Sequence, residues 1–218
     1  MIFLPFSLLL LLLLIILLPF LFFIIHIEII KIALSKIGIP PTLAFLILLA
    51  SLIGSMINIP VYSKEAVLIP PEREIFFLFR PFGMPEIHTK QIIAINLGGC
   101  IIPLLLCLYL IRKAPFLPTF FATIISIVVC FKLSKVVPGV GITIPAFIPP
   151  IVSVILAYIL SPENKIPVAY ISGVLGVLIG ADILNLPALS KYPGVMSIGG
   201  AGVYDGIFLV GIFSVLLA

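Results

Sequence analysis

Charge is what this sequence has least of. Asp, Glu, Lys and Arg together make up 9% of the 218 residues, against 63% that are hydrophobic. A soluble domain carries about a quarter charged residues, because water has to be faced on every side. There is too little charge here to clothe a globule of this size, and the mean hydropathy of +1.45 agrees. Aspartate is scarcer still, occurring only as Asp182 and Asp205. Histidine is limited to His26 and His88, and cysteine to Cys100, Cys107 and Cys130.

Each shortage excludes something. His26 and Glu28 are spaced i, i+2 and share no helix face, so no H-E-x-x-H zinc site is present. His26 falls at a helix end and His88 in a loop, which leaves no base at membrane depth for a serine nucleophile. The cysteines lie in apolar segments, form no C-x-x-C pair and fit buried small hydrophobes. No P-loop or dinucleotide glycine fingerprint occurs, and no Lys/Arg cluster interleaved with aromatics points to nucleic acid. Neither a metal nor a cofactor is expected. The net charge of +4 fits basic residues at helix ends and in loops, beside lipid headgroups.

What the sequence has in plenty is apolar runs long enough to span a bilayer, about 17–25 residues each. The expected architecture is all-α, a single multi-pass domain of a cell membrane covering residues 1–218. About seven spans are expected, at 1–25, 42–59, 91–111, 116–131, 145–160, 167–184 and 198–218. The first has no basic leader or small-residue cleavage site and is expected to be retained. Residues 26–38 carry His26, Glu28, Lys31, Ser35 and Lys36 at helical spacing, which predicts an amphipathic continuation. Residues 61–90 are the one sizeable polar piece, expected as a loop with two short strands, at 67–69 and 75–79, or as an interfacial hairpin. Residues 132–150 hold Pro138, Gly139, Gly141, Pro145, Pro149 and Pro150, and are expected as a broken or re-entrant segment, or a turn. Basic residues divide too evenly between alternate loops to choose an orientation.

The chain resembles itself in one place. Leu52-Ile-Gly-Ser-Met-Ile-Asn58-Ile-Pro60 and Leu178-Ile-Gly-Ala-Asp-Ile-Leu-Asn185-Leu-Pro187 match with one insertion, and both continue to a Ser-Lys pair, ending at Lys64 and Lys191. Each is followed by a glycine pair, Gly98-Gly99 and Gly199-Gly200. A repeated helical hairpin is expected, with the copies parallel, as in some transporters.

The two aspartates both fall in the last hairpin, within or at the ends of apolar spans. A charged side chain placed there costs about 2.5–3.5 kcal/mol, so a functional site is the default reading. On antiparallel neighbouring helices their depths differ by about 5–6 Å at 1.5 Å per residue. Two close carboxylates share one proton, which is the working state of an aspartic protease dyad. Against easy contact, Gly173, Gly176 and Gly180 form a stripe roughly opposite Asp182. A cation or proton site on the same carboxylates is the other reading.

Gly180-Ala-Asp182 and Gly199-Gly-Ala-Gly-Val-Tyr-Asp205-Gly-Ile-Phe208 together resemble the closing signature of an uncharacterised prokaryotic family of polytopic membrane proteins. More distantly, Tyr204-Asp205 and its glycine-rich approach are similar to the Y-D and G-x-G-D motifs of presenilin, signal-peptide-peptidase and prepilin-peptidase enzymes. Here the Y-D pair stands in the second aspartate helix, Val203 and Tyr204 separate Gly202 from Asp205, and Pro187-Ala-Leu189 lies between the aspartates. The resemblance implies catalytic roles for Asp182 and Asp205 on a transmembrane peptide substrate. Gly180, Asn185, Gly200, Gly202, Tyr204 and Gly206 are then the expected substrate-binding positions. A small ion- or proton-coupled carrier is the alternative, and a non-catalytic scaffold in which the two aspartates are incidental is the third reading.

Overall fold

In a computed structural model, residues 6–68, 87–137, 141–189, 194–200 and 206–218 are described. The fold is predominantly helical, with a small sheet at one end. Helix α1 (Phe6–Lys36) is one unbroken element, so the first expected span and its amphipathic continuation are a single helix. Ile30, Ala33, Leu34 and Ile37 recur at i, i+3, i+4 and i+7 and are buried against α2 (Pro41–Gly54) and α8 (Gly206–Leu217). Residues 8–25 before them are exposed on every side.

Three expected helix ends are strands instead. The second span was expected to run to residue 59, but α2 stops at Gly54 and strand β1 (Asn58–Leu68) follows. The third was expected from residue 91, but Gln91 to Asn96 belong to strand β2 (Ile87–Asn96), and helix begins only at Leu97. A π-helical turn (Leu97–Ile101) then leads into α3 (Ile102–Leu110). β1 and β2 pair antiparallel from Asn58↔Asn96 to Leu68↔Ile87, with a bulge between Pro60 and Tyr62. Of the loop expected at 61–90, residues 61–68 and 87–90 belong to these paired strands, and the strand expected at 75–79 lies outside the described residues.

Helix α4 (Phe116–Leu133) ends at Ser134, and residues 132–150 are not a continuous helix. Strands β3 (Lys135–Val137) and β4 (Gly141–Thr143) make a small antiparallel pair there, before α5 (Ile148–Leu160). α6 (Lys165–Leu175) continues as a π-helical segment (Gly176–Asp182), a 3₁₀ turn (Ile183–Asn185) and the short α7 (Leu186–Leu189). The last span was expected from residue 198, but strand β5 (Gly194–Ile198) precedes α8, which starts at Gly206. β5 pairs parallel with β2, Gln91↔Gly194 through Ile95↔Ile198, giving the sheet order β1-β2-β5.

α6 is the central helix, with every residue from Val168 to Val174 buried among α3, α4, α5 and α8. Among the described residues, three helical stretches are long and apolar enough to cross a membrane, Leu8–Lys36, Phe116–Leu133 and Lys165–Leu189. Pro41–Gly54, Leu97–Leu110, Ile148–Leu160 and Gly206–Leu217 are apolar but shorter.

Candidate functional site

Asp182 closes the π-helical segment and is half-buried. Glycine brings this segment against α4. A Cβ on Gly176 would stand 2.7 Å from Ser126 Cβ, and one on Gly180 would stand 2.4 Å from the Ile127 carbonyl oxygen. The matching face of α4 is a stripe of small residues, Thr119, Ala122, Ser126 and Cys130. Just beyond Asp182, the Asn185 amide donates to Ser134 Oγ at 2.9 Å and to the Ala181 carbonyl at 2.8 Å. It thereby satisfies a carbonyl freed by the irregular helix end and ties that end to α4.

The glycine stripe is split between neighbours. Gly176 and Gly180 face α4, whereas Gly173 faces Ser153, Val210 and Ser214 on α5 and α8. Gly211 of α8 packs in turn against Tyr170 and Val174. At the far end, Tyr158 Oη donates to the Ala218 carbonyl and Lys165 Nζ donates to Tyr158 Oη. The end of α8 therefore meets the start of α6, and the two helices are antiparallel. Asp205 stands one residue before α8, and Gly202, Tyr204 and Asp205 lie outside the described residues. Gly206 opens α8 and is exposed, with open space where a Cβ would be.

A second constellation was not expected from the sequence. Where β2 and β5 end side by side, Asn96 is fully buried, at 0% exposure. Its Nδ2 donates to the Ser55 carbonyl at 2.7 Å and to Asn58 Oδ1 at 3.0 Å, and its Oδ1 accepts from the Gly99 backbone N–H at 2.8 Å. Asn96 is thus the N-cap of the turn that opens α3. Ser197 Oγ also donates to Asn58 Oδ1, and Ser51 Oγ donates to the Gly98 carbonyl at 3.0 Å. Asn58 itself is exposed, so one side of the node is open.

Gly200 sits on this node. A Cβ there would lie 2.9 Å from both Asn58 Oδ1 and Asn96 Cβ. Gly199, at φ 72°, leaves no room beside Cys100, the residue after the Gly98-Gly99 pair. The two glycine pairs noticed in the sequence therefore touch. The segments before them differ, Asn58 opening a strand and Asn185 closing a 3₁₀ turn. The only signal for the node was that likeness, which named Asn58 but not Asn96 or Ser197. Among the described residues, no three His, Cys, Asp or Glu side chains converge.

A family described as protein of unknown function (DUF1614) matches residues 52–217, and the chain belongs to it. The match takes in Asn58, Asn96, Ser197, Asp182 and Asp205, and leaves out α1 and α2 as far as Ser51. No curated protein and no solved structure matches the chain.

Proposed function

We propose that this DUF1614 chain is a multi-pass protein of the cell membrane whose Asp182 and Asp205 form the site of an intramembrane aspartyl protease. Support for the membrane comes first from α1. Residues 8–25 are apolar all round and exposed, with Ile16 at 69% and Phe20 at 71%. A helix apolar on every side needs either protein or hydrocarbon around it, and the bundle does not supply the protein. Outward residues of α3 to α5, such as Leu108, Phe116 and Ile159, are exposed in the same way.

The observation that carries the protease reading is the antiparallel packing of α8 on α6. The contacts of Gly173 with Val210 and Ser214, and of Gly211 with Tyr170 and Val174, together fix a register. Continued at 1.5 Å per residue, it sets Gly206 near the level of Leu178, about 6 Å short of Asp182. Asp182 also ends a π-helical segment, a distortion frequent at functional sites. In this reading one carboxyl is protonated and polarises the scissile carbonyl. The ionised carboxylate takes a proton from water as its oxygen bonds to the carbonyl carbon. A proton then passes to the amide nitrogen as the C–N bond breaks.

The test is cleavage of a reporter transmembrane peptide by protein in liposomes. Asp182→Asn and Asp205→Asn should each lower the rate by at least about 10²-fold while the protein stays folded. The double variant should be no worse than either single one, because the pair acts as a unit. Cleavage surviving either substitution rejects the dyad.

A carrier reading has its own observation. At 1.5 Å per residue, α2 and Leu97–Leu110 are each about 21 Å long, short of a core about 30 Å thick. Both join strands at the polar node, and interrupted helices of this kind surround substrate sites in transporters. In that case each aspartate shifts the ion or proton dependence of uptake by its own amount, and no peptide is cut.

A further inference from the structure

At the end of the molecule away from the sheet, an apolar groove of about 340 Å³ runs between α2 and α3. Leu43, Ile47 and Ala50 form one wall and Ile102 and Leu105 the other, with Gly38 and Tyr109 at the mouth. Cations crowd that mouth. Lys113 Nζ donates to the Ile37 carbonyl at 3.0 Å and to Tyr109 Oη at 2.7 Å, which leaves one of its three N–H groups for another acceptor. Arg112, the residue before it, is exposed, whereas Lys36 is engaged on the Val215 and Leu216 carbonyls of α8. The two turns that border the groove, residues 35–43 and 109–116, contain no acidic residue.

We propose that this groove holds an acyl chain of an anionic phospholipid, whose phosphate is engaged by Arg112 and Lys113. The inference rests on the membrane reading above but not on the protease one. Charge decides the occupant. A purely apolar partner leaves Arg112 and the third N–H of Lys113 unused, whereas a phospholipid puts one anion at headgroup level and a hydrocarbon tail below it. Tyr109, apolar along its ring and polar at its tip, suits that boundary.

Native mass spectrometry of the full chain in detergent tests this with phosphatidylglycerol and phosphatidylcholine of identical chains. Phosphatidylglycerol should be retained at least about fivefold better, and Arg112→Gln should lower that preference by about fivefold, the expected effect of one cation near an anionic headgroup. Ala50→Phe, which fills the groove and leaves the cations in place, should reduce retention of both lipids. Equal retention of the two lipids by the unaltered protein overturns the proposal, as does a preference unchanged by Arg112→Gln or a retention unchanged by Ala50→Phe. Release of the protein from membranes by alkaline carbonate would instead overturn the membrane reading itself.

Discussion

Two glycines show how differently one residue type is used in this chain. Gly98 lies where the turn opening α3 crosses the end of α2, and a Cβ there would stand 2.0 Å from the Ser51 carbonyl oxygen and 2.4 Å from the Ser55 nitrogen. Both are backbone atoms of a packed helix end, so neither can give way. Gly98→Ala should therefore destabilise the protein by about 3 kcal/mol or more, at the upper end of overpacking costs. Gly206 has nothing near the position of a Cβ and begins a helix. Gly206→Ala should change stability by no more than about 0.5 kcal/mol. Thermal unfolding in detergent reads both, and similar midpoints for the two variants would contradict this account. The sequence marked both residues as members of glycine motifs, but nothing in it distinguished a crossing point from an open helix start. That distinction depends on Ser51, which lies 47 positions from Gly98.

Among the elements, the run from Lys165 to Leu189 holds the most irregularity. Its α-, π- and 3₁₀-helical pieces leave carbonyls that a regular helix would satisfy, and Asn185 covers two of them, Ala181 at 2.8 Å and Gly180 at 3.3 Å, while reaching Ser134. Asn185→Ala should cost about 1–3 kcal/mol by leaving those groups unpaired. If Asp182 is catalytic, the same variant should lower kcat more than KM, because the aspartate's mooring on α4 is lost and not a substrate contact. A rise in KM alone would make Asn185 a substrate-binding residue, as the sequence suggested. The helical positions of α4, α5 and α6 were legible because long apolar runs have little alternative to helix. Gln91-Ile-Ile-Ala-Ile-Asn96 was not. A short run rich in Ile satisfies helix or strand equally, and periodicity does not separate the two.

For the whole molecule, the two ends differ in construction. One end is tied by cations and tyrosines: Lys36 donates to the Val215 and Leu216 carbonyls, Lys113 to Ile37 and Tyr109, and Lys165 to Tyr158. The other carries the three-stranded sheet and the β3–β4 pair. α4 connects them, and its 18 residues are about 27 Å long, close to the thickness of a bilayer core. Arg112→Cys and Lys135→Cys flank that helix on opposite ends. A membrane-impermeant maleimide added to intact cells should label one of them and reach the other only after permeabilisation. Background labelling should be low, since Cys100, Cys107 and Cys130 are buried. Labelling of both from the same side would mean that α4 does not cross the membrane.

By itself the sequence determined how apolar the chain is, where the long helices fall and that Asp182 and Asp205 are its only aspartates. These follow from composition and local pattern, because a chain with 9% charged residues has few ways to satisfy its backbone except by helix. Only the tertiary structure decided that helix gives way to strand at Asn58 and Asn96. A strand forms where another strand lies alongside to take its hydrogen bonds, and β2 finds β5 about a hundred residues along the chain. The polar node, the division of the glycine stripe between α4 and α8, and the groove at the basic end arise in the same way. Each is made by residues far apart in sequence, so no local pattern encodes it.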